Sequence, residues 1–110
     1  MIGEYKTEDD YELIPLGETE LKEEVSKLSG WEQCDSKWIK REYKFDKYLE
    51  GINFAKQIGE YAEKRQHHPT ITIDYKKVTL EISSWRAKGI TEIDIEMVKD
   101  FNEIYEGKFD

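Results

Sequence analysis

The spacing of apolar residues changes abruptly at His67-His68-Pro69, and this change is the strongest constraint on the fold. Before it, apolar residues recur at the period of an amphipathic helix; they are Tyr48, Leu49, Ile52, Phe54, Ala55, Ile58, Tyr61 and Ala62. After it, they alternate as in two half-buried strands; these are Ile71, Ile73 and Tyr75, then Val78, Leu80 and Ile82. Pro69 disfavours a helical conformation at His68. A long helix must therefore end there, and a hairpin must follow.

Weaker patterns predict a further helix and a first pair of strands. Apolar residues at helical spacing predict a helix over residues 19–29, which Gly30 would end. Residues 31–35 and 38–45 predict two short strands. Arg41 is a charged exception on the apolar face of the second strand, and its long stem would let the guanidinium reach an edge.

Two helix starts complete the predicted order of elements. Asp46 is a favourable N-cap for the long helix. Thr91 precedes a last helix, and its first turn holds Glu92 and Asp94, where acidic side chains interact favourably with the helix dipole. The order is α-β-β-α-β-β-α. Two hairpins and three one-sided helices predict an α+β fold, with a four-stranded antiparallel sheet and three helices on one face.

Length and charge narrow the class of protein. The 110 residues suffice for one domain; residues 1–17 predict an acidic N-terminal arm, extended or partly mobile, before a single domain over residues 18–110. A net charge of −8 argues against a nucleic-acid or anionic-membrane partner, since both need a basic surface. The single cysteine, Cys34, rules out an internal disulfide. Because neither a membrane span nor a secretory signal is recognisable, a cytoplasmic location is expected.

The hairpin predicts which residues meet at its open end. With residues 76–77 as the loop, Tyr75 would face Val78, and the apolar residues of both strands would share one side. The same register places His68 opposite Trp85, with Cβ atoms about 5 Å apart. A histidine and an indole are therefore predicted to lie side by side.

One corner of the fold is predicted to collect the polar residues around this pair. Glu63 would enter it from the end of the long helix and Asp94 from the start of the last one. His67 and His68 are the only histidines in the chain. The ordinary pKa of histidine, about 6.5, lets it donate or accept a proton near neutral pH. The corner is therefore a candidate proton-transfer site.

Two other interpretations of the histidine pair stay open at this point. Taken alone, the two side chains would suit a surface or helix-capping role. A metal site is the other interpretation, since Glu63 and His67 are four residues apart near a helix. Two histidines and the distant Cys34 are few ligands for a closed site, which needs about four. No metal is therefore expected.

Seven residues form a spaced pattern around this corner. They are Glu63, His67, His68, Pro69, Tyr75, Trp85 and Asp94. This pattern resembles the signature of the pterin-4a-carbinolamine dehydratase family, and the similarity runs from Leu21 to Tyr105. The family's fold is the four-stranded sheet with three helices that the periodicity predicts independently.

The resemblance implies a defined reaction without a metal or organic cofactor. Aromatic amino acid hydroxylases leave their pterin as a 4a-hydroxy-tetrahydropterin, and the family removes water from it to give the quinonoid dihydropterin, which recycles the pterin. His67 is implied to protonate the departing hydroxyl, and His68 to bind the pterin and exchange a proton. Glu63 is implied to fix a histidine tautomer. Asp94 would hold the corner or bind the pterin edge, with Pro69 in support.

Trp85 departs from the commonest form of the family pattern. Many members carry a third histidine at this position. An indole has one N–H donor and no group that titrates near neutral pH, but it can stack on a flat pterin or donate a hydrogen bond. The resemblance also implies a homodimer or homotetramer. A second function class therefore stays open, a non-catalytic member of the fold acting as a dimerisation or protein-assembly partner.

Overall fold

The computed structural model describes residues 5–35 and 37–108 and has an α+β architecture. Its helices are α1 (Glu18–Ser26), α2 (Tyr48–Arg65) and α3 (Glu92–Tyr105), preceded by a 3-10 helix at Glu8–Asp10. Its strands are β1 (Glu32–Gln33), β2 (Ile39–Lys44), β3 (Thr70–Asp74) and β4 (Lys77–Ile82). They form one antiparallel sheet in the order β1-β2-β4-β3. The predicted fold class and element order are confirmed.

The core lies between one face of the sheet and the helices. Alternate residues of the two central strands are fully buried; they are Ile39 and Tyr43 of β2 and Val78, Leu80 and Ile82 of β4. The helices close over them with Ile58, Val98 and Phe101, which are also fully buried. The predicted stripe of α2 begins too early, because Leu49 is 72% exposed. No helix within the described residues is long and apolar enough to cross a membrane.

The β3–β4 register differs from the predicted one by two residues. Ile73 pairs with Val78, and the loop consists of Tyr75 and Lys76. Tyr75 adopts a positive φ of 54°, so it belongs to the turn and not to the strand. A shift of two residues keeps every side chain on its predicted face, because the side-chain period of a strand is two.

The register correction also removes the predicted His68–Trp85 pair. The ladder between β3 and β4 ends at Thr70 opposite Glu81. Both His68 and Trp85 lie beyond its end, so the prediction that they are cross-strand partners is wrong. Any approach between them depends on the loops that follow α2 and β4.

The start of α2 also differs slightly from its prediction. Lys47, and not Asp46, occupies the N-cap position. The Glu50 carboxylate accepts a hydrogen bond from the backbone N–H of Lys47 at 3.2 Å. An acidic side chain at the third helical position satisfies a free N–H of the first turn, so the cap does not need an aspartate.

Arg41 is stabilised by aromatic and polar contacts on the buried side of β2. Its guanidinium lies 4.3 Å from the centroid of the Tyr43 ring, within range of a cation–π interaction. Its Nη1 donates to the Ser29 carbonyl and to Asn102 Oδ1, both at 2.8 Å. Gly30 is required beside it, since its φ is +80° and a Cβ there would lie 2.4 Å from Arg41 Nε.

The described part of the N-terminal arm, residues 5–17, is attached to the domain by hydrogen bonds. Arg65, only 4% exposed, donates to the Lys6 carbonyl at 2.6 Å and to the Tyr11 hydroxyl at 2.7 Å. Further along, the Leu16 N–H donates to the Ile90 carbonyl at 2.8 Å. These contacts hold the arm to the domain on both sides of the 3-10 helix. The division of the chain at residue 17 stays a prediction.

Candidate active site

The end of α2 gives the two adjacent histidines different environments. Gln66 adopts the left-handed conformation with φ 51° and ψ 41°, which reverses the chain at a helix C-terminus. The His67 N–H then donates to the Ala62 carbonyl at 3.3 Å. His67 is 4% exposed, whereas the side chain of His68 is 52% exposed. One ring is therefore in the protein interior and the other at the surface.

His67 lies between two carboxylates. Its Nε2 is 2.7 Å from Asp94 Oδ1, and its Nδ1 is 2.8 Å from Glu8 Oε1. An ionised carboxylate only accepts hydrogen bonds, so both ring nitrogens donate, and the ring is an imidazolium. Burial by itself lowers the pKa of His67, but the hydrogen bonds and charges of Asp94 and Glu8 outweigh it, and the pKa is raised above 6.5.

Asp94 is fixed by the start of α3. Its Oδ2 accepts hydrogen bonds from the Thr91 N–H at 2.8 Å and from Ser84 Oγ at 2.6 Å. Its Oδ1 is left to His67. Asp94 is fully buried. Its Oδ2 therefore stabilises the helix start, and its Oδ1 contacts the site histidine. Ser84 was not predicted from the sequence, where nothing distinguishes it from an ordinary serine.

His68 pairs with Glu63, a residue that the sequence predicts only to enter the same corner. His68 Nε2 lies 2.5 Å from Glu63 Oε1, and both side chains are largely exposed. A carboxylate on Nε2 places the proton of a neutral imidazole on that nitrogen. Nδ1 then carries the lone pair, and it has no hydrogen-bond partner among residues 5–35 and 37–108.

Trp85 is 75% exposed and lies in the turn after β4. This turn is closed by the Ser84 N–H, which donates to the Gly89 carbonyl at 3.0 Å. Arg86, the next residue, donates from Nη1 to Glu8 Oε2 at 2.8 Å. Trp85 is therefore joined to the site through its neighbours Ser84 and Arg86. Pro69, the other predicted supporting residue, is partly buried at the start of β3.

Glu8 is a further site residue that sequence reasoning missed. It lies 59 positions from His67, and its side chain is 12% exposed. Burial by itself raises its pKa, but the hydrogen bonds from His67 and Arg86 and their positive charges give a pKa lowered from 4.5. No local signal in the acidic arm distinguishes Glu8 from its acidic neighbours, because its role depends on how the arm docks.

Four surface clefts lie away from the two histidines. Four clefts have volumes of about 340 to 530 Å³, and neither His67 nor His68 lines them. The described residues contain no group of three or more His, Cys, Asp or Glu side chains arranged for a metal ion. At His67, the position beside Nδ1 is filled by Glu8.

The raised pKa of His67 predicts a pH-dependent stability. A pKa that is higher in the folded than in the unfolded state stabilises the fold below the unfolded value, about 6.5. This contribution is lost as pH rises through the folded pKa. We expect the free energy of unfolding, measured with urea, to fall as pH rises above about 6.5.

Two matched variants isolate the histidine responsible. His68→Gln should keep the decline in the free energy of unfolding, because the exposed His68 ring is not part of the buried contact between His67, Asp94 and Glu8. His67→Gln should flatten it. Equal slopes for the two variants would contradict the assignment of the buried imidazolium.

Comparison with known proteins assigns the chain to a family. The family model described as pterin 4 alpha carbinolamine dehydratase matches residues 14–104. This range contains both histidine–carboxylate pairs, His67 with Asp94 and His68 with Glu63, but not Glu8. The chain therefore belongs to the pterin-4a-carbinolamine dehydratase family.

Relatives from several organisms align with most of the chain. A protein of Sulfolobus acidocaldarius named "Putative pterin-4-alpha-carbinolamine dehydratase" is 34% identical over 91 residues, 83% of this chain and 99% of that protein. One from Picosynechococcus with the same name is 35% identical over 89 residues, 81% of this chain and 96% of that protein. The crystal structure of a transcriptional coactivator/pterin dehydratase from Brucella melitensis superposes with a TM-score of 0.78 at 34% identity, covering 83% of this chain and 98% of that one.

Proposed function

We propose that this protein is a hydro-lyase that removes water from a 4a-hydroxy-tetrahydropterin and releases the quinonoid dihydropterin. Family membership gives the class of reaction. The observation that carries the proposal is the buried imidazolium of His67 between Asp94 and Glu8. It provides a proton donor where a departing hydroxyl needs one.

His67 is the proposed general acid. The C4a–oxygen bond breaks more easily when the hydroxyl leaves as water, and this requires a proton. A histidine whose pKa is raised above 6.5 keeps more of this proton near neutral pH than an ordinary histidine, which favours its role as a general acid. Asp94 orients the ring through Nε2, which leaves Nδ1 as the nitrogen that faces the reaction.

His68 is the proposed base and a binding group. With Glu63 on Nε2, the lone pair on Nδ1 can accept the proton of the pterin ring nitrogen next to C4a. The electron pair of that N–H bond then forms the carbon–nitrogen double bond as the hydroxyl leaves. One proton is given and one is taken, so the products are water and the quinonoid dihydropterin. His68 then loses its extra proton to solvent, and His67 takes one up from solvent after the products leave, which restores the starting protonation states.

Trp85 is the proposed platform for the pterin ring, since an exposed indole offers a flat surface beside the turn at Ser84. Aromatic stacking on a heterocyclic base is worth about 1–3 kcal/mol, so we expect Trp85→Ala to raise KM roughly tenfold while kcat changes little. Trp85→Phe keeps a ring and should remain near the wild-type KM. If steady-state kinetics give the wild-type KM for both variants, the indole does not contribute to pterin binding.

The test of the function is a dehydration assay on a 4a-hydroxy-tetrahydropterin made in situ by a hydroxylase. The purified protein should accelerate the loss of this intermediate above its spontaneous rate, in proportion to protein concentration. A rate indistinguishable from the spontaneous one, with folded protein, would sink the proposal. The natural pterin is identified by comparing kcat/KM across pterins that differ in the side chain.

A second candidate is a protein-assembly role. The Brucella melitensis relative is described as a transcriptional coactivator as well as a pterin dehydratase. In this chain, β3 is at the edge of the sheet, and the nearby Ile73 and Tyr75 are 42% and 66% exposed. Exposed strand edges pair with other chains, which also fits a homodimer or homotetramer. Light scattering of the purified protein, and of Ile73→Lys as the edge-blocking variant, tests this role independently of the assay.

A further inference from the structure

The contact between Glu8 and His67 joins the arm to the site. Residue 8 lies outside the family-matched residues 14–104, yet Glu8 Oε1 takes the Nδ1 position of His67 at 2.8 Å. Its other oxygen, Oε2, accepts a hydrogen bond from Arg86 at 2.8 Å. The arm therefore inserts a carboxylate between two cationic side chains at the site.

The hydrogen-bond capacity of His67 is fully used in this arrangement. An imidazolium has two N–H donors, and here one faces Asp94 and the other Glu8. Asp94 is fully buried and fixed by Thr91 and Ser84, so it cannot give way. Only Glu8 can leave. A ligand can receive the proton of His67 only after Glu8 has released Nδ1.

We propose that Glu8 is a built-in competitor of the substrate, which holds the site closed until the segment around it lifts away from His67. The identity of the substrate rests on the proposed function. The closure of the site by Glu8 rests only on the contacts of Glu8. Glu8 lies between two attachment points of the arm, Lys6 and Tyr11, which are both bonded to Arg65. The 3-10 helix Glu8–Asp10 can therefore open locally while the rest of the arm stays docked.

The surroundings of the released position define what replaces Glu8. His67 Nδ1 and Arg86 Nη1, which both contact Glu8 at 2.8 Å, would face it with positive charge and N–H donors. Asp9 lies 3.5 Å from Arg86, and its side chain is 88% exposed. A ligand with oxygen acceptors on one edge, such as the hydroxyl and carbonyl of a 4a-hydroxypterin, matches these donors.

The first test compares Glu8→Ala with Asp9→Ala in steady-state dehydration at about pH 6, below the ordinary pKa of histidine. Asp9→Ala makes the same charge change on the same helix without a contact to His67. Because apparent affinity scales with the open fraction of the protein, we expect KM in Glu8→Ala to fall by about tenfold and in Asp9→Ala to stay unchanged. Glu8→Gln should move in the same direction as Glu8→Ala.

The second test does not need activity. Diethyl pyrocarbonate modifies accessible, neutral imidazole rings, and tandem mass spectrometry locates the modification on His67 or His68. We expect His68 to react in every form of the protein and His67 to react only in the Glu8 variants. His68 is the internal standard for reagent and exposure time.

The outcomes separate this proposal from the proposed function. If no form dehydrates the pterin but the Glu8 variants expose His67 to the reagent, the closure stands and the dehydratase assignment fails. If Glu8→Ala loses kcat/KM, Glu8 takes part in turnover and the proposal is overturned. The proposal is also overturned if His67 stays protected in Glu8→Ala, or if KM and reactivity match those of Asp9→Ala.

Discussion

Replacing His67 with glutamine lowers kcat/KM for the 4a-hydroxypterin by about 10²- to 10⁴-fold, the usual contribution of a positioned general acid. Glutamine keeps N–H donors near Asp94 and Glu8 but has no titratable proton to give. The loss should appear mainly in kcat, because the missing proton is needed in the transition state. The measurement is the dehydration assay, with protein concentration fixed by absorbance and folding checked by circular dichroism.

His68→Gln is the matched control for this loss. It removes the neighbouring ring, which is exposed and bonded to Glu63, and should raise KM as well as lower kcat. His67→Gln with a kcat within threefold of wild type, in a folded protein, would rule out His67 as the acid; threefold corresponds to only about 0.6 kcal/mol. The reaction would then proceed through another group or through solvent.

Replacing Arg65 with methionine lowers the free energy of unfolding by about 1–3 kcal/mol, the cost of leaving hydrogen-bonded polar groups without their partner. The Arg65 side chain is 5% exposed and lies 3.2 Å from Glu96 and 3.6 Å from Asp100. It also donates to the Tyr61 hydroxyl at 2.7 Å. Methionine fills the space of the stem but leaves the Tyr61 hydroxyl and the partly exposed carboxylates of Glu96 and Asp100 without their cation.

Urea unfolding at neutral pH measures this loss. Lys56→Met is the control, since Lys56 is an exposed cation on the same helix, and its change should stay within about 0.5 kcal/mol. A loss below 1 kcal/mol for Arg65→Met would show that solvent reaches the carboxylates easily. Limited proteolysis of the same variant should cut within residues 5–17 first, because Arg65 also attaches the arm through Lys6 and Tyr11.

Periodicity was sufficient to predict the fold but not the hairpin register. The alternation in β3 and β4 is unchanged by a shift of two residues, so the buried faces of Val78 and Leu80 were predicted correctly from a wrong pairing. The turn at Tyr75 and Lys76 contains no glycine, although Tyr75 takes a positive φ. This backbone conformation is rare for a tyrosine, and the sequence carries no sign of it.

The site was predicted in part, for a similar reason. The sequence predicts that Glu63, Asp94 and the two histidines meet in one corner, but not which carboxylate contacts which ring; in the structure Asp94 contacts His67 and Glu63 contacts His68. The opposite orientations of the two rings depend on the left-handed conformation of Gln66, which sequence patterns do not specify. Glu8 depends on long-range docking. The roles of Glu63, His67, His68, Pro69, Trp85 and Asp94 in turnover stay predictions.

The two oxygens of Asp94 have different roles, and this affects what the presence of the aspartate says about a related sequence. One oxygen closes the first turn of α3 through Thr91, and the other aligns His67. A descendant that lost its activity would still be selected to keep this aspartate, because the helix would fray without it. The presence of this aspartate in a related sequence therefore indicates an intact fold, whereas only an intact histidine pair indicates an active enzyme.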